Sequence, residues 1–199
     1  IQAMAKGTAK VFVALGGNFL SASPDTTYTA AALQNCNLTI QISTKLNRSH
    51  LVTGKTALIL PCLGRTDKDQ NKYGIQYVST ENSMGVVQKT QGVLEPVSDQ
   101  LLGEPSIVAI MADRVLGKNH TIKWLEFAND YSLIRAEIEK VIDGFARYEQ
   151  KLAQSGGFYL PNAPRTGSFN LAGGTAKFSV NPLKKVEVHP DAFLMMTIR

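Results

Sequence analysis

The sequence predicts an α/β fold, a Rossmann-like parallel sheet flanked by helices, on three observations. Short β-branched or aliphatic runs at 11–15, 38–42 and 57–60 have the length and composition of strands buried on both faces of a parallel sheet. A stretch with helix-start and helix-forming residues separates the first two, giving a β-α-β-loop-β order. With 199 residues, 44% of them hydrophobic, the chain is long enough for one well-buried core, and for a second unit only if that unit is small.

The first strand, in Ala-Lys-Val-Phe-Val-Ala-Leu, stops at Gly16-Gly17. Ser23 is placed to cap a helix with Pro24 at its first position and Asp25 in its first turn, and Ala30, Ala31, Ala32 and Leu33 carry it to about Asn35. The strand at 38–42 leads into a polar stretch, 43–50, and Pro61 stops the strand at 57–60. A charged loop at 64–72 precedes 75–80 and 86–89, which read as strands or a hairpin around Asn82-Ser83-Met84-Gly85. Pro105, the apolar positions Val108, Met111 and Val115, and Gly117 mark out a helix with both of its ends. Between 122 and 154, Tyr131, Ile134, Ile138, Val141 and Phe145 keep one apolar face while Arg135, Glu137, Glu139 and Lys140 lie elsewhere, predicting a surface helix broken near Asp143-Gly144.

After Gly156 the composition changes: Pro161, Pro164, Gly167 and Gly173-Gly174 punctuate an irregular stretch, followed by strand-like 176–180 and 193–198. The division expected is an α/β domain at 1–155 and a linker with first strands at 156–199. The opening on Ile1 rather than Met, and the stop at Arg199 inside a strand-like run, lead us to expect a chain cut from a longer one.

Composition removes several function classes. No apolar run reaches the ~18 residues a membrane helix needs, and the first ten residues lack a secretory pattern, so a soluble cytoplasmic protein is expected. A net charge of +5 is scattered, with Lys184-Lys185 the only adjacent basic pair, which argues against a nucleic-acid surface. Cys36 and Cys62 stand apart, too few for an iron–sulfur cluster or structural zinc, and read as buried free thiols in a reducing compartment. Glycosylation triplets at Asn37, Asn47 and Asn119 carry no weight without a secretory route. Gly54-Lys55-Thr56 imitates the end of a P-loop, but Ser49 occupies the position of its first glycine and a strand follows. A nicotinamide fingerprint is absent. His50, His120 and His189 assemble no triad, and Asp67 and Asp69 read as loop solvation rather than acid–base machinery.

One constellation remains. Gly16-Gly17-Asn18 lies at the carboxyl end of a buried strand, where backbone N–H groups can approach a phosphate and a following helix N-terminus adds positive potential. Ser43-Thr44-Lys45-Leu46-Asn47-Arg48-Ser49-His50 leaves the neighbouring strand at the same edge, with hydroxyls, an amide, an imidazole and two cations. On the residues alone, a tight turn beside a solvated loop explains the pattern as well as an anion site does.

Residues 11–25, Val-Phe-Val-Ala-Leu-Gly-Gly-Asn-Phe-Leu-Ser-Ala-Ser-Pro-Asp, resemble the strand and Gly-x-Asn-Pro loop of molybdopterin oxidoreductases. The stretch 43–54, continuing to Ala57-Leu58-Ile59-Leu60-Pro61-Cys62, is similar to that superfamily's run ending in Ala-Asp-Val-Val-Leu-Pro, especially in formate-dehydrogenase-like alpha subunits associated with bacterial acid resistance. Residues 81–88, 173–178 and 194–199 resemble the same branch in the same order. The resemblance implies a C-terminal-half piece of such a subunit. Its α/β domain would hold one half of bis-molybdopterin guanine dinucleotide with Mo or W, and its last strand would open a β-barrel-like domain. By position it assigns guanosine and pyrophosphate contacts to Gly16, Gly17, Asn18, Ser43, Asn47, Arg48 and His50. Phe19 replaces the common proline, Ser43 stands where many relatives have a guanine-reading aspartate, and Val86 replaces a frequent arginine. The metal ligand and any [4Fe-4S] cysteines would belong to earlier sequence. The chain alone is therefore expected to be inactive and without cofactor, its partners being the rest of the subunit and an electron-transfer protein. The rival expectation is a stand-alone nucleotide-binding or regulatory module.

Overall fold

The computed structural model describes residues 1–117, 120–169, 171–183 and 187–195. Asn119, the Lys184-Lys185 pair and the end of the expected last strand, 196–198, lie outside these. The chain divides into two units, Ile1–Leu160 and Pro161–Arg199.

The first unit is mixed α/β. Strands β1 (Val11–Leu15), β2 (Leu38–Ser43) and β3 (Thr56–Pro61) form a parallel sheet in the order β1-β2-β3, with Val13 opposite Ile40 and Ile40 opposite Leu58. Side chains alternate across a strand, so this register fixes two faces. One carries Phe12 against a core of Met4, Leu20, Ala32, Leu33 and Cys36, supplied by α1 (Gln2–Ala5), α2 (Phe19–Ala22) and α3 (Thr26–Gln34) with its flanking residue 36. The other packs Ile40, Ile42 and Leu60 against Ile107 and Met111 of α4 (Glu104–Leu116). On that second face α4 covers only part of the sheet, and Val11, Val13 and Leu15 stay about half exposed at 54%, 48% and 52%. Both cysteines are buried free thiols.

Helix α3 ends at Asn35 as expected but starts later than the sequence suggests. Asp25, not Ser23, caps it, its carboxylate accepting the Tyr28 N–H at 2.8 Å. Ser23 instead donates its hydroxyl to the Phe19 carbonyl and closes α2, a single turn inserted after the glycines. The helix that starts beside Gly16-Gly17 is therefore the single turn α2, too short for the dipole expected there, and the full helix α3 begins only at Thr26.

Beyond β3, short strands β4 (Gln70–Asn71) and β5 (Gly74–Ile75) pair, and β6 (Val78–Glu81) and β7 (Val86–Thr90) form the expected hairpin. Strand β8 (Phe158–Tyr159), in a stretch expected to be linker, adds to β7. Helix α4 ends at Gly117, whose φ of 71° suits glycine. The single broken helix expected over 122–154 is three: α5 (Trp124–Asn129), α6 (Tyr131–Val141) and α7 (Tyr148–Leu152). Asp130 interrupts the first pair by capping α6, its carboxylate accepting the Ser132 N–H. Arg135 is not on the solvent side: only 6% exposed, it lies over the Tyr77 ring at 4.0 Å and donates to the Tyr77 carbonyl and to Glu149. Phe145, Tyr148 and Phe158 meet edge to face around Val87 and Leu152, forming a third core under the hairpin.

In the second unit a 3-10 turn spans Ala163–Thr166, capped by Asn162. The strand expected at 176–180 is not formed, nor is residue 193–195 strand. The large apolar side chains described in this segment are exposed, and among the described residues no strand pairs with it to satisfy its backbone. Among the described residues no helix is long and apolar enough to cross a membrane.

Candidate functional site

The turns after β1 and β2 meet. Parallel pairing brings the ends of both strands to one edge, with Leu15 opposite Ile42, and the Gly16 N–H still donates to the Ile42 carbonyl at 2.8 Å. Gly16 and Gly17 then take left-handed φ of 64° and 73°, a turn that costs an L-residue about 1 kcal/mol or more. Where a Cβ would stand on Gly17 there is open space. The backbone N–H groups of Gly17 and Asn18 donate to no described atom.

From the second turn, Asn47 donates its side-chain amide to the Gly17 carbonyl at 2.9 Å and accepts the Ser49 N–H at 2.9 Å. Ser49, which sequence reasoning did not single out, is buried and ties the two turns again. Its hydroxyl accepts the Leu20 N–H at 3.1 Å and donates to the Asn18 side-chain oxygen at 3.4 Å. Gln41, also missed, fixes this arrangement from inside the sheet by donating its amide to the Ser49 carbonyl at 2.8 Å. A buried glutamine in the middle of a strand was the available signal.

The remaining expected site residues divide. His50 is buried, and its Nδ1 accepts the Asn47 N–H at 3.0 Å, completing a reciprocal cap on the 3-10 turn Arg48–Leu51. Nδ1 also lies 3.2 Å from the Asn47 carbonyl, so either tautomer can meet the Asn47 backbone, and Nε2 is buried with no partner among the described residues. Arg48 is exposed and makes no ion pair there. Ser43 turns into its own loop, donating to the Lys45 carbonyl at 2.8 Å. Thus Gly17, Asn18, Asn47 and the 3-10 turn form one braced unit on which the Arg48 side chain is exposed, Gly16 flanks it, and the Ser43 hydroxyl is spent locally.

Beside this unit opens a cavity of about 800 Å³. Leu15 and Thr44, neighbours of Gly16 and Ser43, line its near end; the far walls come from α4, α5, α6 and the hairpin. None of the seven expected residues lines it. Asp69 and Tyr131 of its wall belong to a chain of oxygens that runs behind it: Tyr131 Oη lies 2.6 Å from Asp69 Oδ2 and 2.8 Å from Ser106 Oγ, and Ser106 Oγ lies 2.9 Å from the Ala128 carbonyl. These three contacts need three protons, and the two hydroxyls supply two. Burial pushes the Asp69 carboxyl above its ordinary value, partly opposed by the Tyr131 hydroxyl, and a protonated Asp69 would complete the chain. Burial and Asp69 together push the Tyr131 hydroxyl up, so it stays protonated. Asp69, read from sequence as mere loop solvation, is therefore a partly buried structural group. Nearby, burial and then the Glu104 carboxylate push the Cys62 thiol up, making it a poor nucleophile. Among the described residues no group of His, Cys, Asp and Glu is arranged to hold a metal ion.

No family model matches the chain. Over its whole length it is 48% identical to a protein of Mycobacterium tuberculosis named an uncharacterized oxidoreductase, and equally to one so named from Mycobacterium bovis, covering 26% of each. Across 178 residues, 89% of the chain, it is 38% identical to protein YdeP of Escherichia coli, of which it covers 23%. The chain spans about a quarter of the length of the curated relatives it matches.

Proposed function

We propose that this chain is the nucleotide-holding part of an oxidoreductase, and that the whole protein depends on a molybdopterin guanine dinucleotide, as formate-dehydrogenase-like alpha subunits do. The observation that carries this reading is the bracing of two strand-end turns by Asn47, which leaves the Gly17 and Asn18 N–H groups unspent beside a glycine with space above it. Such a turn admits a phosphate close to the backbone. The relatives named oxidoreductases support the reaction class.

The donor set fits the group. The Gly17 and Asn18 amides would bind the pyrophosphate, Arg48 would add a positive charge, and the buried His50 Nε2, without a partner among the described residues, would add a donor in the tautomer that carries its proton there. The cofactor, when bound, supplies two-electron redox chemistry at molybdenum or tungsten. Asn47, Ser49 and Gln41 hold the turn in the binding geometry, so little order has to be gained on binding. The metal's own ligand is assigned to the rest of the protein, and this chain alone is expected to give no turnover with formate and an artificial dye.

The test is the cofactor content of a polypeptide as long as the relatives, purified from molybdenum-replete cells, with released pterin oxidised to its fluorescent form and GMP counted after acid hydrolysis. Pterin and GMP in matched amounts, both reduced by Asn47→Ala, support the reading. A protein free of both, or a content indifferent to Asn47, contradicts it.

A further inference from the structure

Helix α5 carries two of the cavity's aromatic walls, Trp124 and Phe127, yet it has no fully buried residue and no side-chain cap at its start. The polar ties that hold it lie at its far end, where the Ala128 carbonyl accepts the Ser106 hydroxyl of α4 and the Asn129 carbonyl accepts the Asn71 amide at 2.8 Å. The first tie depends on a distant proton. A carbonyl only accepts, so the Ser106 proton must go to Ala128. The contact between Ser106 and Tyr131 then takes the Tyr131 proton, and the contact between Tyr131 and Asp69 takes one that only Asp69 can supply. With Asp69 ionised, the carboxylate draws the Tyr131 proton to itself, because a charged acceptor is the stronger one. Tyr131 Oη, its own proton spent, becomes the better acceptor for Ser106, and the Ala128 carbonyl is released. Tyr131 keeps a second bond throughout, its N–H donating to the Gln76 side-chain oxygen at 3.1 Å whatever the state of Asp69. The change therefore falls on α5 and not on α6.

We propose that Asp69 is a proton-operated latch on α5: protonated, it closes the helix over the cavity; ionised, it frees the Ala128 end and lets Trp124 and Phe127 leave the wall. The latch is independent of what the turns hold, so it stands without the nucleotide reading. Asp69 is faced by Tyr131 from α6 and by the Gly103 backbone at the start of α4. The other titratable groups on the cavity wall are Arg65 and Asp67 from its own loop, Glu104 from α4 and Tyr77 beside the hairpin. Among the described residues no cation pairs with Asp69 to keep it charged. Burial holds its carboxyl above the ordinary value, which moves the working range of the latch towards neutral pH. On the side of α5 the titratable groups are His120, packed against the Trp124 ring, and Glu126, paired with Lys123 at the surface.

Amide exchange of α5 reads the latch, taken relative to β2 and corrected for the intrinsic pH dependence of exchange, from about pH 4 to about pH 8. The wild type should lose protection in α5 by about fivefold, the weight of one hydrogen bond, as pH rises through the Asp69 transition, while β2 keeps its own. Asp69→Asn donates to Tyr131 through its amide at every pH, so α5 should stay protected and the pH dependence vanish. Ser106→Ala removes the tie to Ala128 and should leave α5 open throughout. Should that variant fail to fold, as judged by β2 protection, Tyr131→Phe serves instead: it cuts Asp69 off from Ser106, so α5 should stay tied and indifferent to pH. A pH response that survives in Asp69→Asn, as Glu126 or His120 would give, overturns the proposal. So does a wild-type α5 whose protection does not change with pH, or a loss shared equally by β2, which would mean that the whole unit loosens.

Discussion

Asn47 reaches across thirty positions of sequence to donate its side-chain amide to the Gly17 carbonyl at 2.9 Å, while its other side-chain atom caps its own 3-10 turn. Asn47→Ala removes both bonds. It should lower stability by about 1–2 kcal/mol in urea denaturation, and Asn47→Asp, which retains the cap but not the donor, should lose only part of this.

Much of this was legible in the sequence. The three parallel strands, the hairpin around residues 82–85 and the helix ending at Gly117 announce themselves through local composition and punctuation. The meeting of the two polar turns follows from parallel topology, because both strands end at one edge. Arg135 was misplaced because its partners, Tyr77 and Glu149, lie far away in sequence, and helical periodicity alone sends an arginine to solvent. The cavity was invisible for a similar reason: its lining residues come from loop, hairpin and three helices, with no spacing to unite them.

Gly103 and Gly16 separate space from conformation. A Cβ on Gly103 would sit 2.2 Å from Asp69 Oδ2 and 2.6 Å from Tyr131 Oη, although its φ of −67° is ordinary. Gly103→Ala should cost about 1–3 kcal/mol through overpacking, read from the denaturation midpoint. Gly16→Ala meets nothing closer than 3.7 Å but must hold a φ of 64°, so its penalty of about 1 kcal/mol is conformational. Asp69→Ala, which removes the oxygen that this Cβ would meet, should relieve part of the first penalty and none of the second.

Asp69 also sets a pH dependence. Its carboxyl is raised in the folded chain, so between the unfolded value, about 3.9, and the folded one the native state binds more protons than the unfolded state. Its stabilising contribution is complete below that window and is lost as pH rises through it. Glu149, raised by burial, acts in the same direction, whereas Glu139, lowered by the N–H groups of Arg147 and Tyr148, acts in the opposite one. Stability measured from acid towards neutral pH should therefore fall less steeply in Asp69→Asn than in the wild type; identical slopes would remove Asp69 as the cause.

Arg135 binds Glu149 through Nε at 2.5 Å and the Tyr77 carbonyl through a second nitrogen at 3.0 Å. Lysine has one ammonium and no planar fork, so Arg135→Lys should cost about 1.5–3 kcal/mol. Burial already pulls the guanidinium below its ordinary value, so little is recovered by charge alone. Amide exchange should rise around Tyr77 and α7 and stay unchanged in the parallel sheet.

The most direct test of the account is a titration of the nitrogen-15-labelled chain with GDP, followed by amide NMR. The account predicts that the largest shifts fall on the backbone amides of Gly17 and Asn18, and that Asn47→Ala weakens both. Saturable binding that leaves Gly17 and Asn18 unmoved would contradict it.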